Sequence, residues 1–102
     1  MDRRQLFVGK DTWVGWVLTE PGAGGWHHHG DHDTYIYLIR GTMTINYGAD
    51  GKESVTAHAG DVIFNPPGMV HREVTEGSEQ AEGFVVRRGS GPQNLNVEGP
   101  DR

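Results

Sequence analysis

Short runs in which apolar and polar residues alternate fill most of this chain. A period of two residues predicts β-strands, because successive side chains of a strand point to opposite faces. The runs that predict strands cover residues 6–8, 13–18, 34–39, 42–47, 53–58, 61–64, 70–75 and 83–87. Glycine, proline or an alternating pattern interrupts every longer stretch, so the sequence predicts no amphipathic helix.

Turn residues separate these runs and set the predicted architecture. Asp50-Gly51 predicts a hairpin of type I′, and Pro66-Pro67 predicts a rigid turn before the run at 70–75. About eight short strands with a turn after each are typical of an all-β sandwich or barrel. We therefore predict one domain over residues 1–102, ending in an irregular tail at 89–102 that wraps over the domain or frays.

Composition narrows the classes of partner. The chain has 102 residues and a formal net charge of −5, which argues against a phosphate-backbone partner such as nucleic acid. No run of 18 apolar residues predicts a membrane span, and no secretory signal is visible. The absence of cysteine excludes disulfides and thiolate metal sites, and the cytoplasm is the simplest location to expect.

A histidine cluster is the strongest candidate for chemistry. Four of the six histidines lie within residues 27–32, namely His27, His28, His29 and His32. In an extended chain His27 and His29 share one face, so they form a two-ligand edge, and His71 is a candidate third ligand. An alternative register would use His28 and His32 instead, with His28 otherwise pointing away from the site.

The region around this cluster resembles the first motif of the cupin family, a small β-barrel of the jelly-roll type. That motif contains His-x-His, then Glu after three or four residues, and then Gly after six more. Here His27 and His29 match, and Gly41 closes the motif at the family spacing. Thr34 stands where the family has Glu, and Gly22 precedes His27 by one residue fewer than the pattern requires.

A second stretch resembles the second cupin motif and matches it more fully. Gly60, Pro66, Gly68 and His71 occur at the family spacing, while Thr75 replaces the final Asn. The first motif covers about residues 22–41 and the second about 60–75. The two motifs and the strands between them cover more than half of the chain.

The cupin resemblance implies one divalent metal, bound by His27, His29 and His71. A threonine hydroxyl is a poor ligand for such a metal, so Asp33 or His32 is the expected fourth ligand. Histidine-rich sites favour transition metals, and Zn, Fe, Ni, Cu or Mn are therefore expected. A coordination position left open would take water or substrate.

Aromatic and neighbouring residues suggest a pocket beside this metal. The chain has three tryptophans in 102 residues, which favours a flat, aromatic-lined cavity over ordinary packing alone. The residues that we expect to line the pocket are Thr34, Tyr37, Met43, Trp16 and Phe84. No residue is assigned a catalytic role at this level.

The leading functional hypothesis is a metal-dependent enzyme that acts on a small aromatic or polyketide-like molecule, with dioxygenase-like or cyclase/isomerase-like chemistry. The alternative is a non-catalytic barrel that binds or senses a small molecule or a metal. A homodimer is expected, because the apolar run at 6–8 beside the aromatic strand at 13–18 would otherwise leave an open edge exposed.

Overall fold

The computed structural model describes residues 2–98 and contains eleven β-strands and no helix in that range. The strands are β1 (Asp2–Val8), β2 (Thr12–Thr19), β3 (Gly22–Ala23), β4 (His27–His28), β5 (Asp33–Arg40), β6 (Thr42–Tyr47), β7 (Glu53–His58), β8 (Val62–Asn65), β9 (His71–Thr75), β10 (Ala81–Arg88) and β11 (Leu95–Asn96).

Two antiparallel sheets make up the fold. One has five strands in the order β1-β2-β10-β5-β8, and the other has six, with the order β11-β4-β9-β6-β7 and β3 paired to β9. The core lies between them, because its buried side chains come from both: Ile36, Leu38 and Val85 from the first sheet, and Met43 and Ile45 from the second. The predicted all-β, double-sheeted class is confirmed.

Strand alternation decides what faces this interior. On β5, Thr34, Ile36 and Leu38 are buried, whereas Tyr35 and Tyr37 are exposed. The apolar positions lie toward one end of the strand, and the polar Thr34 lies toward the other. The barrel interior is therefore apolar at one end and polar at the end where the histidines lie.

The β6–β7 hairpin forms where Asp50-Gly51 predicted it, but its turn is different. The connection runs over residues 48–52, and the positive φ angles fall on Gly48 (96°) and Gly51 (73°), while Asp50 keeps a negative φ. The Asp50 carboxylate instead accepts a hydrogen bond from the Lys52 backbone N–H at 3.1 Å. A type I′ turn would need positive φ at Asp50 as well.

The C-terminal segment is more ordered than the sequence suggested. Leu95 and Asn96 form β11, which pairs with His28 and His27 on β4. The tail therefore wraps across the histidine strand, while its last four residues, 99–102, lie outside the described residues. Among residues 2–98, no helix has the length and hydropathy needed to cross a lipid bilayer.

Candidate metal centre

Three histidines and one glutamate converge inside the barrel. His27 on β4 is the register partner of His71 on β9, and Glu73 follows His71 by two residues on the same face. The ring centroids of His27 and His71 are 4.4 Å apart, and that of His29 is 5.0 Å from each. The candidate ligand atoms of all four residues lie within 4.8 Å of one another.

Each of the three histidines is held by a backbone carbonyl at its Nδ1 atom. The acceptors are the carbonyls of Gly25 for His27 (2.9 Å), Gln93 for His29 (2.8 Å) and Met69 for His71 (3.0 Å). A carbonyl can only accept, so each Nδ1 carries a proton, and in the neutral ring Nε2 then keeps its lone pair. The three rings are thus fixed in the tautomer and orientation that metal-binding histidines adopt.

The Nε2 atoms of His71 and His27 lie against the carboxylate of Glu73. Its Oε2 lies 3.1 Å from Nε2 of His71 and 3.6 Å from Nε2 of His27. In the tautomer set by the carbonyls, these are contacts between lone pairs, so they need either a proton or a cation among them. The Nε2 of His29 is buried and has no hydrogen-bond partner among residues 2–98.

Burial and charge shift the pKa values of these groups. Burial lowers the pKa of His29 to about 4, and the positive charge of Arg87 adds to that effect. Burial also opposes protonation of His27, but the hydrogen bond and charge of Glu73 outweigh it and raise the pKa of His27. Burial would raise the pKa of Glu73, yet hydrogen bonds from His27 and His71 hold it far below its usual range.

This donor set fits a divalent transition metal. Atoms bound to one such ion at about 2.0–2.2 Å lie roughly 3–4 Å from each other, close to the spacing of these atoms. Three neutral imidazoles and a carboxylate suit Zn, Mn, Fe, Ni or Cu better than Mg or Ca. The cluster of His27, His29, His71 and Glu73 is therefore compatible with a metal, whose identity the donors leave open.

A cavity of about 230 Å³ adjoins the cluster on the side of His27 and Glu73. Apolar groups and polar groups both line it: Val17, Ile36, Met43 and Val85 among the first, and Arg3, Thr19, Arg87, Asn94 and Asn96 among the second. A larger, apolar groove of about 550 Å³ lies between β7 and β8, but none of the four cluster residues lines it. The smaller cavity is therefore the one that adjoins the candidate ligands.

The fourth residue of the cluster differs from the expectation. Asp33 precedes the inward-facing Thr34 on β5, so its side chain points outward, where it borders a surface depression with Arg88. His32 is buried, but its Nδ1 contacts the carbonyl of His29 at 3.0 Å, and it lines a separate small cavity with Trp13. Neither residue joins the cluster, and Glu73 is the carboxylate there.

The alternative register through His28 and His32 does not form. His28 is turned away from the cluster, and its Nδ1 accepts a hydrogen bond from the backbone N–H of Gly30 at 3.1 Å. The β4–β9 pairing places His27 opposite His71, which leaves His28 on the other face of the strand.

Of the five expected pocket residues, only Met43 lines the cavity. Thr34 is buried in the interior but is not among the lining residues. Trp16, Tyr37 and Phe84 lie side by side on the outer face of the five-stranded sheet, as the pairings of β2, β10 and β5 show. Tyr37 is 47% exposed and Phe84 40% exposed, while Trp16 donates its indole N–H to Glu82 at 2.7 Å.

Sequence reasoning missed Glu73, although a signal was present. Glu73 stands two residues after His71, and residues two apart on a strand share a face. His71-x-Glu73 is therefore a second two-ligand edge, equivalent to His27-x-His29. The strand pairing of β4 with β9 brings the two edges together.

The family model for the cupin domain matches residues 15–87. The chain belongs to the cupin family. This confirms the family that the two motifs predicted. By sequence, the chain is similar to the uncharacterized protein YdbB of Bacillus subtilis, with 35% identity over 51 residues. These residues make up 50% of the present chain and 43% of YdbB, so the match spans less than half of that relative.

Solved structures share the cupin architecture. A protein with a double-stranded β-helix domain from Klebsiella pneumoniae superposes with a TM-score of 0.80 and 21% identity, over 95% of this chain and 84% of its own. A cupin-like protein from Thermotoga maritima gives a TM-score of 0.81 and 22% identity, over 95% and 75% of the two chains. At such identities the likeness shows the fold alone.

Proposed function

We propose that this cupin binds one divalent transition metal through His27, His29, His71 and Glu73, and that it acts on a small molecule at that metal. The observation that carries the proposal is the set of three Nδ1–carbonyl contacts, which leave the Nε2 lone pairs of three neutral rings within one cluster of ligand atoms that includes the Glu73 carboxylate. Such fixed tautomers serve a metal better than they serve a hydrogen-bond network without one.

The two sides of the cluster have different roles. His29 and His71 are 2% and 0% exposed, so they close the site from the interior. His27 and Glu73 border the cavity, and a small molecule would approach from their side. Bound there, a metal would supply Lewis-acid or redox chemistry, which suits the dioxygenase-like or cyclase/isomerase-like reactions that we propose.

The chain's own groups would position the substrate and shield it. Val17, Ile36 and Met43 offer an apolar wall for its body, and the amides of Asn94 and Asn96 lie at the same cavity. The C-terminal segment covers His29, because the Gln93 carbonyl holds its ring. The cavity favours a small compound, and aromatic or polyketide-like molecules of that size are the class we propose.

Metal content of the purified protein tests the proposal directly. About one equivalent of a transition metal, measured by mass spectrometry, is expected in the wild type, and less than a tenth of that in His71→Ala. Glu73→Gln keeps the size of the side chain but loses its charge, and we expect it to weaken metal binding at least tenfold. The exposed His58→Ala is the matched control and should keep the full equivalent.

The metal that is found directs the activity assay. Iron, nickel, copper or manganese leads to oxygen-consumption measurements with phenols and diketones, and zinc leads to isomerase and cyclase assays. If the wild type carries no metal and binds none of these ions on addition, the proposal is wrong.

A non-catalytic barrel that senses or stores a ligand is the second candidate. The burial of His29 and His71, with the tail held against His29, favours it, since a closed metal would serve structure better than turnover. Exchange of metal-bound water, measured by nuclear relaxation of the manganese-loaded protein, separates the two. Rapid exchange supports catalysis, and its absence supports the barrel without catalysis.

We also propose that the protein is a homodimer. Leu6, Phe7 and Val8 on the edge strand β1 are all at least half exposed. The outer face of the same sheet adds Tyr37 and Phe84, and an apolar surface of this kind is typical of an interface. The interface that we propose therefore extends from the β1 edge across this outer face.

A further inference from the structure

A buried arginine lies beside the proposed metal centre without an ionic partner. Arg87 on β10 is 9% exposed, and the strand register places it between Trp13 on β2 and Thr34 on β5. These are inward-facing neighbours, so the guanidinium lies inside the barrel. Its Nε atom is buried and has no hydrogen-bond partner within the described part of the chain, residues 2–98.

The contacts that Arg87 does make are weak for a buried cation. Its guanidinium lies 5.4 Å from the centre of the Trp13 ring, and Nη1 is 3.4 Å from Oε1 of Gln93. Within residues 2–98, no ion pair joins Arg87 to a carboxylate. Buried charges are normally paired, because removing a charge from water costs several kcal/mol. A partner from outside the chain would meet this need.

The cavity at the cluster gives such a partner a place. Arg87 lines it together with His27 and Glu73, and Arg3 lies at the same cavity. Two guanidiniums therefore face one carboxylate, and that carboxylate is already engaged by His27 and His71. The cavity is thus positive within a chain of net charge −5, and a bound divalent metal would add to this potential. Such a focused field attracts anions.

We infer that Arg87 binds the carboxylate of a small organic acid whose body lies in the metal cavity. The guanidinium fork matches a carboxylate with two parallel hydrogen bonds. The cavity of about 230 Å³ is below the roughly 300–1,000 Å³ of sites for drug-sized ligands, so the acid is small. Val17, Ile36 and Met43 would contact its apolar part.

This inference rests on the proposed function for its site, and it narrows the substrate class from small molecules to small monocarboxylates. Arg87 is then a specificity-determining residue. It sets which molecules enter beside the metal, whereas His27, His29, His71 and Glu73 set which metal is held.

Calorimetric titration with matched acids and amides tests the inference. Isobutyrate and benzoate are compared with isobutyramide and benzamide, which have nearly the same shape and no charge. The titrations use the zinc-loaded protein and the metal-free protein. We expect the wild type to bind at least one acid about tenfold more tightly than its amide, as a charge-assisted pair predicts. Equal affinity within both pairs would overturn the inference.

Variants at two neighbouring arginines locate the effect. Arg87→Gln should abolish the preference for the acid, and Arg87→Lys should keep part of it, because the charge remains without the fork. Arg88→Gln removes the same charge from the next residue, which is exposed on the outer face, and should leave the preference unchanged. Thermal unfolding of each variant checks that it folds. A preference that survives in Arg87→Gln would overturn the assignment.

The two forms of the protein separate this inference from the proposed function. If zinc binds and acids show no preference that depends on Arg87, the inference fails and the metal site stands. If zinc does not bind but the metal-free protein still loses its acid preference in Arg87→Gln, the metal proposal fails and the anion site stands.

Discussion

Near the histidine cluster, the two faces of the five-stranded sheet are opposite to the usual arrangement. At the end of β5 and β10 near the cluster, the interior carries Thr34 and Arg87, and Asn65 on β8 is the register partner of Thr34. All three are buried. The outer face of the same strands carries Tyr37 and Phe84, both exposed. A sheet with one solvated face normally has apolar residues inside and polar residues outside.

The inner face carries the buried polar groups to which a ligand would bind. Four buried polar atoms of residues 2–98 have no hydrogen-bond partner in the protein, and they belong to His29, Thr34, Asn65 and Arg87. Three of the four form one row across the sheet, and Nδ2 of Asn65 lies 3.3 Å from Nε2 of His71. Unsatisfied buried groups are rare in native proteins, so their concentration here supports the binding site that we propose.

The outer face of the same strands carries exposed aromatic side chains. Tyr35 and Phe64 are register partners with ring centroids 5.1 Å apart, and they continue the apolar surface beside Tyr37 and Phe84. Tyr35 and Phe64 pack on each other, and all four aromatic side chains are at least 39% exposed in the part of the chain that the structure describes. The buried polar groups of the inner face would therefore suit a polar ligand, and the exposed aromatic groups of the outer face would suit an apolar surface of a second copy of the chain.

The largest effect is expected from a charge placed on the outer face. The paired residues Phe84 and Tyr37, replaced one at a time by glutamate, should convert a dimer of about twice 11.2 kDa into a monomer. Burying an unpaired carboxylate in an apolar interface costs roughly 2–4 kcal/mol or more, which weakens association at least about thirtyfold. Size-exclusion chromatography with light scattering measures the mass.

Val55→Glu is the control for this experiment. Val55 is an exposed residue of β7 in the other sheet, and we expect its replacement to leave the mass unchanged. A wild type that elutes as an 11.2 kDa species would contradict the dimer itself. Dissociation by Val55→Glu alone would place the interface on the six-stranded sheet.

The second effect concerns the stability of the protein at low pH, which depends on the buried His29. The pKa of His29 in the folded, metal-free protein is lowered to about 4 by burial and by the Arg87 charge, from an ordinary value of 6.5. Between these pH values the unfolded chain binds a proton that the folded chain cannot bind. The contribution of neutral His29 to the free energy of unfolding is therefore complete above pH 6.5 and is lost as the pH falls to 4. This loss amounts to roughly 3 kcal/mol.

Urea unfolding at pH 7 and pH 4.5, in the presence of a chelator, measures this loss. The free energy of unfolding should fall less in His29→Gln than in the wild type, because the titrating ring is gone. His58→Gln, at an exposed position, is the matched control and should fall as the wild type does. Equal acid sensitivity in His29→Gln and the wild type would contradict the buried, neutral state of His29.

Much of the fold could be predicted from the sequence because strand alternation and turn residues are local. The spacing of Gly60, Pro66, Gly68 and His71 predicted the cupin family. The two-residue period of a strand predicted that His27 and His29 share one face. Glu73 could not be chosen over Asp33 by the same means. The choice depends on which strands pair, and only the register of β4 with β9 brings His71 and its neighbour to His27.

The expected pocket contained an inconsistency that alternation alone exposes. Thr34 and Tyr37 are three positions apart on β5, so their side chains point to opposite faces of the strand. Once Thr34 faces the interior, Tyr37 must face outward, and its register partner Phe84 does so too. Aromatic residues suggested a cavity by their chemistry, but strand geometry places these two on the surface.

The smallest effect tests the inner row itself. Thr34 is fully buried, and its hydroxyl has no partner among the described residues, so Thr34→Val replaces an unsatisfied polar group by a methyl group of similar size. We expect this change to stabilise the metal-free protein by about 1 kcal/mol, measured by urea unfolding. Tyr35→Phe removes a hydroxyl from the adjacent, outward-facing residue and should change stability by less than about 0.5 kcal/mol. Destabilisation by Thr34→Val would mean that the hydroxyl is satisfied within the fold, and the inner row would then be structural.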